Sequence, residues 1–216
     1  METGIEEFVS ALAEHAPDFS IQLHAEQIAR LARYYELLTK WNGRLHLVAP
    51  CSPAEFAVRH VLESLMLLRH LPLGATVTDV GSGGGLPIVP CLLVRDDLHA
   101  SLIESSKRKA VFLREVLHGL DPGGRARVTA ARFQDTPSPV TEFISCRALD
   151  RFAIVISTLM SWAGPQATLL LFCGDELRGR LESMLSQPQV ERIPYSDARF
   201  LVAGSRSNSR GEQPNR

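Results

Sequence analysis

Apolar residues recur along this chain at two different periods, and the period changes near residue 75. Before it, Ile28, Leu31, Ala32, Tyr35, Leu38 and Trp41 stand three or four positions apart, as one buried stripe on a helix would. Ser52-Pro53-Ala54-Glu55 is a capping box with proline at the first helical position, and predicts a second helix running to about Leu71. Beyond Ala75, short apolar runs alternate with helical segments. Strands are predicted at Thr76 to Val80, Ala100 to Ile103, Ala126 to Ala130, Phe143 to Arg147 and Thr168 to Cys173. Helices are predicted from Leu86, and at Lys107 to Leu120, Phe152 to Ala163 and Asp175 to Leu185. Two closing strands, near Val190 to Pro194 and Arg199 to Ala203, have no helix between them and should form an antiparallel hairpin.

This alternation predicts an α/β fold: a mostly parallel sheet with helices on both faces, and ligands outside the carboxyl ends of the strands. The domain plan is an N-terminal helical extension, 1–72, packed on a core, 73–204, followed by a tail, 205–216. The polar stretch Gly204 to Arg216 is expected to be disordered.

Composition narrows the function classes. With 216 residues, 45% apolar and 22% charged, the chain can bury a full core without staples. Cys51, Cys91, Cys146 and Cys173 lie far apart without metal-ligand spacing, so neither a zinc site nor a disulfide framework is indicated and no metal is expected. The acidic start, Met1 to Glu7, lacks the apolar region of a secretory signal, and a reduced, cytoplasmic protein is expected. The longest apolar stretch, Phe152 to Cys173, is broken by Ser157, Ser161 and Gly164-Pro165-Gln166, so no membrane partner is expected. A net charge of −1 gives no bulk attraction to nucleic acid; binding of that kind needs a local basic patch.

The chemistry concentrates in Thr78-Asp79-Val80-Gly81-Ser82-Gly83-Gly84-Gly85-Leu86-Pro87-Ile88, directly behind the first predicted strand. A Walker-type phosphate loop fails because no Lys-Ser/Thr pair follows the glycines, and G-x-G-x-x-G fails because Leu86 or Ile88 stands at the third glycine. What remains is D-x-G-x-G-x-G: Asp79, Gly81, Gly83, Gly85. This spacing resembles the loop by which class I methyltransferases bring main chain against S-adenosylmethionine, where positive φ and a missing Cβ are needed. Glu104 ends the second strand about 20 residues on, the place of a carboxylate that accepts from ribose hydroxyls, in this cofactor or in NAD. Its bland alternative is a solvated charge at a helix start.

Several blocks resemble the bacterial small-subunit ribosomal RNA methyltransferase G family: Lys40-Trp41-Asn42, Arg59-His60-Val61-Leu62-Glu63-Ser64, the loop, Glu104-Ser105, Lys107 to Leu113, and Arg147-Ala148. The resemblance covers nearly the whole chain and implies a Rossmann-like class I methyltransferase that methylates N7 of a guanine in 16S ribosomal RNA. It implies cofactor contacts at Gly81, Leu86, Glu104, Phe133, Gln134 and Arg147. Asp79, Gly83 and Gly85 join them as loop residues. The expected partner is the 16S molecule or the small-subunit precursor, met by a monomer. Departures from the family pattern stand at His46, Val48, Glu63, Ile88 and Cys173; Ile88, in place of glycine, is expected to narrow the pocket.

Guanine N7 carries a lone pair in the neutral base, so the transfer needs no general base. Arg147 is the candidate for positioning cofactor or guanine; an ion pair with an acid such as Asp150 is its alternative. Arg59, His60, Lys107 and Arg114 are the candidate RNA contacts. Pro90-Cys91 resembles a cytosine-C5 nucleophile pair but falls in the helix after the first strand, so Cys91 is read as core. Methyl transfer to another RNA or a small molecule, and a non-catalytic binding module, are the competing functions.

Overall fold

A computed structural model of the chain describes residues 2–120, 123–147 and 152–206. Before the sheet come α1 (Glu2–His15), α2 (Ala25–Leu45), α3 (Pro53–Phe56) and α4 (Glu63–Leu65). There follow β1 (Thr76–Val80), α5 (Ile88–Val94), β2 (His99–Ile103), α6 (Lys107–Leu120), β3 (Ala126–Thr129) and β4 (Phe143–Arg147). The chain continues through α7 (Phe152–Trp162), β5 (Thr168–Gly174), α8 (Asp175–Met184), β6 (Leu185–Arg192) and β7 (Arg199–Arg206).

The strands form one sheet in the order β3-β2-β1-β4-β5-β7-β6. β1 to β5 pair in parallel, and β7 runs antiparallel to both β5 and β6. The strand order reverses at β1, which puts a crevice at the carboxyl ends of β1 and β4. β6 starts at Leu185, directly after α8, five residues before the predicted strand. Pro188 hides that start, since a residue without N–H argues against a strand; here it sits at a register shift between Ser186 and Gln189 on the edge strand, where the ladder tolerates it. β7 continues to Arg206, with Gly204 opposite Leu169, so residues 204–206 are strand rather than tail. The rest of the expected disordered tail, 207–216, lies outside the described residues.

Before the sheet, half of the predicted capping box forms: Ser52 Oγ accepts from the Glu55 N–H at 3.0 Å, while the Glu55 carboxylate pairs with Arg59. The helical run from 53 to 70 is not uniform. α3 passes into a π-helical turn at Ala57–Leu62, returns to α4, and tightens into a 3-10 turn at Met66–His70. On α2 the fully buried residues are Leu31, Tyr34, Leu38 and Leu45, while Ile28, Ala32, Tyr35 and Trp41 flank them half-buried. The predicted stripe is therefore rotated slightly toward Tyr34.

One apolar cluster joins Phe8, Leu12, Leu31 and Leu38 from the N-terminal helices to Val77, Leu92, Phe112 and Leu113 on one face of the sheet. A second, with Ile144, Ile156, Leu159, Leu171 and Leu181, covers the other face. The N-terminal helices thus belong to a layer of the core. They also reach the glycine loop, because the buried Tyr34 hydroxyl donates to the Gly84 carbonyl at 2.6 Å. Tyr34→Phe leaves that carbonyl unpaired and is expected to cost about 1–3 kcal/mol. Urea unfolding with an unchanged slope checks it; an unchanged midpoint would refute the coupling.

Candidate functional site

After β1 the chain turns through Gly81, Gly83 and Gly85 with φ of +74°, +51° and +90°. These are left-handed conformations that glycine adopts without strain. The glycines differ in what else constrains them. A Cβ on Gly85 would stand 2.5 Å from Val89 Cγ2, so this residue lets the loop close onto α5, whereas a Cβ on Gly83 would meet nothing nearer than the Gly81 carbonyl at 3.8 Å. The loop is tied to the end of β2: the Gly81 and Ser82 N–H groups donate to the Ile103 carbonyl at 2.8 and 3.3 Å, and the Gly83 N–H donates to Glu104 Oε2 at 2.8 Å. Glu104 Oε1 accepts from the Ser106 N–H at 2.7 Å.

These elements wall a cavity of about 810 Å³. Gly81, Ser82, Gly83, Gly84 and Leu86 line it from the loop, and Glu104, Ser105 and Ser106 from the end of β2. Arg132, Phe133 and Gln134 enter after β3, Arg147 at the end of β4, Lys109 from α6, and His60 from the π-helical turn. Val80, Ile103 and Val155 also line it, as do Leu47, Val48 and Ala49. The last three are held by Asn42, whose Oδ1 accepts from the Val48 N–H at 3.0 Å and whose Nδ2 donates to the Val48 carbonyl at 3.1 Å.

Of the residues singled out in the sequence, Gly81, Gly83, Leu86, Glu104, Phe133, Gln134, His60 and Arg147 thus meet on one wall. Asp79 and Gly85 do not; they lie beneath the loop. Arg59, Lys107 and Arg114 also stand off the cavity wall: Arg59 pairs with Glu55, Arg114 donates to the Val128 carbonyl at 3.4 Å, and Lys107 is exposed. Lys109 lines the cavity although Lys107 does not, because residues two apart on a helix differ by about 200° around the axis. Ile88 is fully buried in the core and absent from the wall, so it does not narrow the cavity. Cys91 is fully buried, and burial pushes its thiol far up, as a core residue requires. Arg132 carried no sequence signal, and Val48 and Lys109 were marked only by the family pattern and not as site residues, since their convergence depends on how α2, α6 and the sheet pack.

The charges are sorted by their partners. Arg147 donates to the Glu63 carboxylate at 3.1 Å and to the Arg59 carbonyl at 2.6 Å, so its acid is Glu63; Asp150 lies outside the described residues. Burial, with the guanidiniums of Arg147, Arg59 and Arg199, lowers His60 to about 3, leaving a neutral imidazole on the wall. Asp79 is fully buried, with Oδ1 accepting from the Ser145 hydroxyl at 2.6 Å and no hydrogen-bond partner for Oδ2 among the described residues. Burial raises its carboxyl to about 6. Bare main chain, a carboxylate engaged by backbone N–H groups, and a flat aromatic side chain together suit a ligand with ribose hydroxyls and a base. The guanidinium at the far side suits a polar or anionic group.

Comparison with known proteins agrees with this geometry. The family model described as rRNA small subunit methyltransferase G matches residues 27–207. The ribosomal RNA small subunit methyltransferase G of Xanthomonas campestris pv. campestris (strain B100) is 37% identical over 153 residues, 70% of this chain and 71% of that protein. Its namesake in Gluconobacter oxydans (strain 621H) is 38% identical over 136 residues, 63% of this chain and 67% of that one. Among solved structures, a SAM dependent methyltransferase from Aquifex aeolicus is similar with TM-score 0.54 and 17% identity, covering 80% of this chain and 98% of that one. M. jannaschii TYW2, solved in complex with AdoMet, is similar with TM-score 0.56 and 12% identity, covering 68% of this chain and 76% of that one. These two likenesses concern the fold, which is the Rossmann-like class I methyltransferase fold.

The two glycines should separate in experiment. Gly85→Ala combines left-handed strain with overpacking against Val89 and should lose about 2–4 kcal/mol in denaturant unfolding. Gly83→Ala should lose only about 1–2 kcal/mol, yet weaken S-adenosylmethionine binding in calorimetric titration at least about tenfold. Equal binding by Gly83→Ala and the parent would refute this account of the loop. Asp79 gives a pH dependence. Its folded-state carboxyl, near 6, lies above the unfolded value of 3.8, so the folded chain binds the extra proton and stability falls as pH rises from about 4 to 6. His60, shifted down, contributes with the opposite sign over the same range. The difference in unfolding free energy between the parent and Asp79→Asn is therefore expected to change by about 3 kcal/mol across pH 4–6 and stay flat above. A pH-independent difference would show that Asp79 does not titrate as stated.

Proposed function

Since the chain belongs to the ribosomal RNA small subunit methyltransferase G family, we propose that it transfers a methyl group from S-adenosylmethionine to N7 of a guanine in 16S ribosomal RNA. The observation that carries this reading is the joining of the glycine loop to Glu104 through the Gly83 N–H, on a cavity that also exposes Phe133 and Arg147. When bound, S-adenosylmethionine supplies a methyl group activated by its positively charged sulfur.

In this reading Glu104 accepts from the ribose hydroxyls with the lone pairs that Gly83 and Ser106 leave unused. Phe133 and Gln134 would hold the adenine, and Gly81, Gly83 and Leu86 would let it and the rest of the cofactor approach the main chain. The remaining task is to bring guanine N7 into line with the methyl group, and N7 attacks without losing a proton. The methylated base becomes cationic, and the neutral His60 adds no charge to oppose it. Lys109 and Arg132, which line the cavity and have no ion-pair partner among the described residues, suit the phosphates flanking the target guanine better than Lys107 or Arg114. The protein is read as a cytoplasmic monomer acting on the 16S molecule or the small-subunit precursor.

Incubation with methyl-labelled S-adenosylmethionine and small-subunit RNA lacking the modification tests this reading. Label confined to a 16S guanine, with strand cleavage diagnostic of N7-methylguanine, is the expected result. Label on another RNA, or at an exocyclic nitrogen, would refute it.

A further inference from the structure

Behind the cavity wall, one buried carboxylate is shared by two guanidiniums from separate strands. Glu63 of α4 is 1% exposed. Its Oε2 accepts from Nη2 of Arg147, at the end of β4, at 3.1 Å, and its Oε1 lies 2.5 Å from Nη1 of Arg199, at the start of β7. Each oxygen therefore serves one cation.

The backbone takes part through the π-helical turn. In an α-helix the Glu63 N–H would donate to the Arg59 carbonyl; here it donates to Val58, five residues back. The Arg59 carbonyl accepts instead from Arg147 Nη2 at 2.6 Å. Both hydrogens of that nitrogen are thereby used, and the guanidinium is further fixed over the Phe172 ring at 5.5 Å. Its Nε and Nη1 hydrogens meet only a long 3.5 Å contact to Ser64 Oγ among the described residues, which leaves them for a ligand. Two guanidiniums against one carboxylate leave excess positive charge at this wall.

We propose that Glu63 is a positioning residue for methyl transfer: together with the Arg59 carbonyl released by the π-helical turn, it holds the Arg147 guanidinium in one orientation at the cavity wall. This rests on reading the cavity as the methyl-transfer site. Arg199 occupies the second oxygen and helps keep the buried carboxylate ionised. Glu63 itself does not touch the reacting atoms.

Methylation kinetics on small-subunit RNA test the proposal, together with thermal unfolding and S-adenosylmethionine titration. Glu63→Gln keeps the shape but removes the charge, and should lower kcat at least about tenfold while the KM for S-adenosylmethionine moves less than about threefold. Glu63→Asp keeps the charge but is one methylene too short to serve both arginines, and should give an intermediate kcat. A double-mutant cycle separates positioning from general support of the fold: in an Arg147→Lys background, Glu63→Gln should cause less than about a twofold further loss. A folded Glu63→Gln with kcat within about twofold of the parent would overturn the proposal, as would an equal loss in both backgrounds. If Glu63→Gln does not fold, a folded Glu63→Asp with parental kcat overturns it instead. A parent protein that methylates no small-subunit RNA would refute the functional reading above and is distinguished from these outcomes by its own assay.

Discussion

The hydrogen bond from the Gly83 N–H to Glu104 organises the site. It forms because β1 and β2 are parallel neighbours with Val80 opposite Ile103, so the turn after one strand comes to rest against the residue after the other. The same carboxylate takes the Ser106 N–H just before α6, and so sets the loop and the start of that helix relative to each other. A carboxylate only 6% exposed is stable there because main-chain donors meet both of its oxygens.

Three buried acids around the cavity show how environment divides their roles. Glu104 is satisfied by backbone donors, Glu63 by two guanidiniums, and Asp79 by a serine hydroxyl on one oxygen alone. Asp79 has neither a cation nor a pair of N–H donors, and burial drives its carboxyl up to about 6; burial raises Glu63 as well, against the opposing pull of Arg147 and Arg199. His60 shows the converse: burial, aided by cations on several sides, keeps it neutral. The wall next to Arg147 therefore carries guanidinium charge without imidazolium charge.

Much of the fold was legible along the chain because strands and helices here obey their own periods. β1, β4 and α6 coincide with their predicted spans, and the hairpin of β6 and β7 is antiparallel as expected. The failures have local causes. Pro188 masked the start of β6, and the 53–70 helix carries a π-helical turn that no apolar period announces. At the site, spacing placed Gly81 and Gly83 in the loop after β1 and Glu104 after β2, while Leu86, Phe133 and Gln134 came from the family resemblance; all six line the cavity. Asp79 and Gly85 lie beneath the same loop and off the cavity lining, and Lys107 is exposed while Lys109, two positions on, lines the cavity.

By itself, then, the sequence determined the order of strands and helices, the bare loop after β1 and the acid after β2, because each of these depends on neighbours within a few residues or on one strand-to-helix step. Tertiary structure alone decided which cations face the cavity, that Ile88 packs into the core, and that Glu63 joins Arg147 to Arg199. The two contacts of Glu63 connect residues 84 and 136 positions apart. They arise from the way α2, α4, β4 and β7 pack around the sheet, and no local pattern records that packing.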